Sequence, residues 1–216
     1  MDIQAAVSCR RDGLHVVETS RLRIVTNRVT DMLRYQQLSS EPQAQQWLGW
    51  RPEDLPSTRT SMLAGSIWTP QPMIPPDAPY LLFAGVHRLT NVMVGAVTID
   101  RSADRADIGG VMGRNHRGQG LGSEMLQTVR VIAHRHFGIS RLTAGCEATN
   151  HASRNWLTRS GFTMIDGSPN HTLPNGRVIQ AIWWESTDQG AAIACKQLRP
   201  RRRPSWRRVF AAPFGT

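Results

Sequence analysis

Cysteine is scarce in this 216-residue chain, and the three present, Cys9, Cys146 and Cys195, stand far apart without a C-x-x-C pair. Such spacing gives no zinc knuckle, no dithiol redox motif and no even-numbered disulfide framework, and it fits a reducing cytoplasm. No window approaches the roughly 18 consecutive apolar residues of a membrane-spanning helix. The opening residues, MDIQAAVSCRRDG, lack the charged-then-apolar order of a signal peptide, so a soluble, cytoplasmic protein is expected. None of His116, His134 and His136 has metal-ligand spacing, and no metal is expected.

Apolar residues make up 40% of the chain, enough at this length for one packed core, so one domain with tails is expected. The net charge of +10 is unevenly placed: Lys196 and six arginines, with no acid, give residues 196–216 a charge of +7 and leave +3 for the body. That tail, with RPRRRPSWRR at its centre, is either a contact for something anionic, such as RNA, a ribosome or a membrane surface, or a solvated, disordered extension.

Along the chain, LHVVETSRLRIVT alternates around Leu22, Ile24 and Thr26 as a first strand does, and the domain is expected to begin near Glu18. Residues 29–50 carry helical spacing interrupted at Glu41-Pro42, which predicts two short helices. Five prolines between residues 65 and 80 break both helix and strand; this long loop, with Trp68, Met73 and Ile74, is a lid over an acceptor site or a plain connector. YLLFAGVHR, VMVGAVTID and the run ending in IGGVMG read as three antiparallel strands. Leu121, Met125, Val129, Ile132 and His136 recur at helical spacing up to Gly138. ISRLTAGCEA is then a strand, residues 152–159 a helix, and FTMID with GRVIQAIWWES a closing hairpin, in which Trp183 and Trp184 are core or interface residues. The order is β, α, α, β, β, β, α, β, α, β, β. The domain is expected over residues 18–187, between a flexible segment 1–17 and a basic, disordered tail 188–216.

The chemical signal lies in residues 114–122, RNHRGQGLG, where a strand ends and a helix starts. Gly118, Gly120 and Gly122 let backbone N–H groups close on a phosphate, and the helix N-terminus adds partial positive charge. Arg114 and Arg117 add full charges, and His116 is a further phosphate candidate. A glycine turn also has a purely conformational explanation. The loop lacks the Lys-Ser/Thr of a P-loop and the distal acid of a dinucleotide fold, which excludes both.

R-x-x-G-x-G at Arg117, Gly120 and Gly122, followed after a helix and a strand by N-H-A-S at 150–153 and by Gly161-Phe162, resembles the GNAT superfamily of acyl-CoA N-acyltransferases. TSRLRI at 19–24 and QWLGWRP at 46–52 are similar to its branch that acetylates protein N-termini, ribosomal proteins among them; the resemblance spans residues 18–186. It implies an α/β (α+β) GNAT fold: a mixed, mostly antiparallel sheet of six to seven strands, about four flanking helices, and a V-shaped splay between the two central strands. It also implies acetyl-CoA as co-substrate. Val111 and Met112 would pair with the pantetheine and Asn150 with its end; Arg114, Arg117, Gly118, Gln119, Gly120, Leu121, Gly122 and Ser123 would hold the pyrophosphate; Ser153 would face the thioester sulfur, with Asn155 beside the coenzyme.

The reaction needs an uncharged amine, so a base must remove the ammonium proton and an acid may be needed for the departing thiolate. Asp107 in RADIGG and Glu147 in CEATN are the base candidates; each also reads as an ion-pair carboxylate, Asp107 with Arg105 and Glu147 with Arg141 or Arg154. Many relatives carry a tyrosine acid about four residues before the G-F pair; here Trp156-Leu157 stands there, and Ser153 is the alternative acid or a helix N-cap. Trp47, Trp50 and Trp68 are candidates for the acceptor site, or core residues. The expected function is acetyl transfer to a primary amine, a protein N-terminal α-amino group first. The alternatives are a small amine, an aminoglycoside, an aminoacyl-tRNA, or a non-catalytic acyl-CoA-binding regulator. Either a monomer or a homodimer fits.

Overall fold

Alternating or continuous runs of β-branched and aliphatic residues form the strands, and their pairing builds one large sheet. In the computed structural model, residues 7–9, 15–26, 29–49, 80–102, 105–188 and 190–197 are described. The elements are β1 (Val7–Cys9), β2 (His15–Glu18), β3 (Leu22–Thr26), α1 (Val29–Ser39), α2 (Pro42–Leu48), β4 (Tyr80–His87), β5 (Met93–Ser102), β6 (Arg105–Met112) and a short 3-10 turn (Arg114–His116). They continue with α3 (Leu121–Arg135), β7 (Arg141–Glu147), α4 (His151–Arg159), β8 (Thr163–Ile165), β9 (Asn170–Thr172), β10 (Val178–Thr187) and β11 (Cys195–Gln197).

The sheet runs β11-β1-β2-β3-β4-β5-β6-β7-β10-β8, with β9 also on β10. Its pairs are antiparallel except β1 with β11 and β6 with β7. The expected mixed, mostly antiparallel sheet is present, and among the described residues it has four flanking helices and eleven strands rather than six or seven. The surplus comes from short edge segments. LHVVETSRLRIVT makes two strands, because Thr19 turns the chain by bonding the Leu22 carbonyl through both its N–H (2.8 Å) and its hydroxyl (3.0 Å). Val7 pairs with Cys195, so the sheet extends beyond the expected limits of 18 and 187 at both ends. Three-residue strands show no periodicity of their own and gain strand geometry only through their partners.

YLLFAGVH is apolar throughout because the sheet is covered on both faces. Leu81 and Phe83 pack with Leu121, Met125, Leu126, Val129 and Ile132 of α3. Leu82, Ala84 and Val86 pack with Tyr35 and Leu38 of α1 and Ala44 of α2. The helical spacing from Leu121 to Ile132 is therefore the core face of α3. His134, in the last turn of α3, is buried and bonded to the Ile139 carbonyl (2.6 Å) and the Ser186 hydroxyl (3.0 Å). Trp184 is core, whereas Trp183 donates from Nε1 to the Ser168 carbonyl at 2.7 Å.

Candidate functional site

β6 and β7 pair over only two positions, Ala106 with Leu142 and Asp107 with Thr143. Beyond them the strands splay into the expected V, and residues 108–112 and 144–147 form facing walls of a cleft of about 540 Å³. α2 and the first turns of α3 and α4 complete its lining.

At one end stands the glycine loop. Gly118 (φ 75°) and Gly120 (φ 76°) are left-handed, a conformation that a side chain would strain. Gly120 is the N-cap of α3 and offers no capping side chain, so the first-turn N–H groups remain for an anion. Gly122 is needed for space: a Cβ there would stand 3.2 Å from Met112 Cγ and 3.3 Å from Trp156 Nε1. His116, Gly118, Gly120, Gly122 and Ser123 line the cleft.

Four expected ligands of this loop have other placements. Arg117 lines the cleft, but its guanidinium turns back to the Met112 carbonyl (2.9 Å), Glu41 Oε2 (2.7 Å) and Gln43 Oε1, bracing the loop against α2. Arg114 is exposed outside the lining, with its backbone N–H on Glu41 Oε1 at 3.3 Å. Gln119 is also outside it, with Nε2 on the Asn115 carbonyl at 2.9 Å. The Leu121 side chain is in the core, so only its backbone faces the helix start. A distant partner claims the Arg117 side chain, a neighbour four residues away claims Gln119, and the core claims Leu121.

Glu124, which sequence reasoning passed over, holds the loop in place. Its carboxylate accepts from Thr19 Oγ1 (2.5 Å), Ser20 Oγ (3.1 Å), the Arg21 N–H (3.0 Å) and Arg21 Nε (2.7 Å). Arg21 Nη1 also reaches the Gln119 carbonyl at 2.7 Å. Burial would push the Glu124 carboxyl up, but the hydrogen bonds from Thr19 and Arg21 outweigh it and hold it below its ordinary value. The sequence signal was available: TSR in TSRLRI has these donors.

At the other end, Asn150 is the N-cap of α4, its Oδ1 accepting the Ser153 N–H at 3.0 Å. Ser153 is thus not itself the cap, and its hydroxyl hydrogen-bonds Cys146, whose thiol burial pushes up. Cys146, Glu147, Asn150, Ser153, Asn155, Val111 and Met112 all line the cleft.

Of the two base candidates, the fold brings Glu147 to the cleft and leaves Asp107 out of the lining, at the closed end of the V, where it accepts from the Thr143 hydroxyl. Glu147 pairs neither with Arg141, which bonds Glu185 at 2.9 Å, nor with Arg154, which donates to the Ala148 carbonyl at 3.2 Å. Its partner is Arg177, from the turn between β9 and β10, at 2.9 Å. Arg177 also donates to the Gln46 carbonyl at 2.6 Å, so one guanidinium joins the end of α2 to the end of β7. Thr149 Oγ1 donates to Glu147 Oε1 at 3.2 Å. Trp47 lines this end with Leu48, Leu173 and Pro174. Trp50, Trp68, the loop at 65–79 and the tail from 198 onward lie outside the described residues.

Over residues 21–163 the sequence matches the Acetyltransferase (GNAT) domain. The chain belongs to the GNAT acetyltransferase family. It is therefore an acyl-CoA-dependent N-acetyltransferase, and the splayed strands with their glycine-started helix form the GNAT cleft. No curated protein sequence matches the chain. Among solved structures, the GNAT fold here is similar to an acetyl transferase from Salmonella typhimurium that modifies the N-terminal serine of 50S ribosomal protein L7/L12, at 19% identity, TM-score 0.64, and coverage of 79% of this chain and 97% of that one. It is similar to RimL, a ribosomal L7/L12 α-N-protein acetyltransferase, in complex with coenzyme A disulfide-bonded to a cysteine, at 19% identity, TM-score 0.63, and coverage of 80% and 97%. It is also similar to a chimera of the spermidine N-acetyltransferase of Vibrio cholerae, at 12% identity, TM-score 0.64, and coverage of 78% and 96%. At such identities the likeness is one of fold.

Proposed function

We propose that this GNAT enzyme transfers the acetyl group of acetyl-CoA to a single primary amine, and that the amine is a protein N-terminal α-amino group. The observation that carries the reading is the position of Glu147: it is the one carboxylate among the described residues lining the cleft. Glu147, held by Arg177 at 2.9 Å, offers one carboxylate for one ammonium on an otherwise uncharged chain end. A polyamine or aminoglycoside brings several ammonium groups and needs several anions.

The coenzyme fits the cleft, because left-handed glycines and open N–H groups stand at one end and a strand edge runs from them to Cys146 and Ser153. Glu147 takes a proton from the bound ammonium, directly or through a water, and the neutral nitrogen attacks the thioester carbonyl carbon. A C–N bond forms, the C–S bond breaks, and Ser153 stands where it can protonate the departing thiolate. Backbone N–H groups at the end of β6 polarise the carbonyl.

Incubation of the full chain with acetyl-CoA and, separately, a library of N-terminal peptides, spermidine and an aminoglycoside tests the reading. α-Amino acetylation of peptides is expected. Products on the small amines alone would transfer the site to that class, and coenzyme binding without any turnover would make the protein a regulator.

A further inference from the structure

Among the described residues, Trp156 is the one member of the cleft lining with a buried side-chain polar atom that has no hydrogen-bond partner, its indole Nε1. Buried donors are nearly always satisfied, because an N–H stripped of water and given nothing in return is costly. A phenylalanine would fill most of the same space without that cost, so packing alone does not explain an indole here.

The surroundings are shaped for this ring. A Cβ on Gly110 of β6 would come within 2.8 Å of Trp156 Cη2, and a Cβ on Gly122 of α3 within 3.3 Å of Nε1. Two glycines on different elements therefore make room for the two ends of one side chain. The Nε1 end lies against the first turn of α3, where helix geometry leaves backbone N–H groups without intrahelical acceptors. An oxyanion seated on that turn would lie on the same side as the indole N–H.

We propose that the Trp156 indole N–H is a side-chain donor to the phosphate of the bound coenzyme, supplementing the backbone N–H groups at the start of α3. This rests on acyl-CoA occupying the cleft and is independent of the acceptor's identity. Arg117, the arginine of the loop motif, is turned away toward Glu41, so the indole adds a neutral, directional contact beside the turn. It also ties α4, which carries Ser153 at the reacting end, to the phosphate end of the same ligand.

Calorimetric titration of the full chain with coenzyme A and with pantetheine, which has no phosphate, tests the assignment in wild type and W156F. The expected result is a Kd for coenzyme A raised about tenfold, the size of one hydrogen bond to a charged acceptor, with the Kd for pantetheine unchanged. An unchanged Kd for coenzyme A, or an equal loss on both ligands, overturns it and leaves Trp156 a packing residue. Should W156F not fold, wild-type protein with ¹⁵N-labelled indoles decides. One slowly exchanging indole N–H signal moves downfield on adding coenzyme A and stays in place with pantetheine; the absence of such a signal overturns the proposal. Failure of the wild type to bind coenzyme A at all would instead refute the acyl-CoA reading of the cleft.

Discussion

Arg21 reaches from the β2–β3 turn to Glu124 in the first turn of α3, its Nε 2.7 Å from Oε2. The contact spans 103 positions of sequence and fixes the start of α3.

Replacing Glu124 by Gln should destabilise the protein by about 1 to 2 kcal/mol, since hydrogen bonds to a charged acceptor are lost. The folded-state carboxyl lies below its ordinary value, so its contribution is full above the unfolded value and is lost as pH falls through the folded one. Thermal melts of wild type and E124Q should therefore differ near neutrality and converge in acid. A constant gap at all pH values would show that the charge is not what stabilises.

Glu147→Gln should lower kcat by about 10² to 10⁴-fold while the Kd for acetyl-CoA holds. Asp107→Asn should leave kcat alone and lower the melting temperature, because Asp107 bonds Thr143 at the closed end of the V. Steady-state kinetics beside calorimetry separates the two, and the reverse pattern would make Asp107 the base.

Gly118→Ala meets open space but a φ of 75°, so its cost is backbone strain of about 1 to 2 kcal/mol. Gly122→Ala has ordinary helical geometry and instead sets a methyl 3.2 Å from Met112 Cγ. Both should weaken coenzyme A binding in titrations. A mutation to D-alanine by chemical synthesis should rescue position 118 and not position 122, because only the first defect is one of handedness.

Arg117→Lys should not be conservative. The guanidinium serves the Met112 carbonyl, Glu41 and Gln43 at once, a fan that an ammonium on a flexible stem does not reproduce. A loss of about 1 kcal/mol per missing bond in chemical denaturation is expected, with R117K nearly as unstable as R117Q.

Deleting residues 198–216 should leave acetyl-CoA affinity intact and weaken binding to polyanions, with a steep salt dependence if nucleic acid is the partner. Equal binding of RNA and ribosomes before and after deletion would reject a recruiting role for the arginines.

Features that repeat over a few residues were legible in advance. The face of α3 follows from apolar residues every three to four positions, and the glycine loop from a need for left-handed backbone at Gly118 and Gly120. The helix break at Glu41-Pro42 is equally local. By contrast, the pairing of Val7 with Cys195 joins chain ends through three residues each, too few to show any period.

The sequence by itself therefore determined the family, the order of the central elements and the glycine-started helix, because glycine conformation, helical period and motif order are properties of neighbouring residues. Only the tertiary structure set Glu147 in the cleft lining and left Asp107 outside it, since that turns on where the pairing of β6 and β7 stops. It alone directed Arg117 to Glu41, 76 positions away, gave Glu147 to Arg177, and left the Trp156 N–H without a partner. A side chain's chemistry is written in the residue, but its partner is set by which distant backbone the packed core brings within about 3 Å.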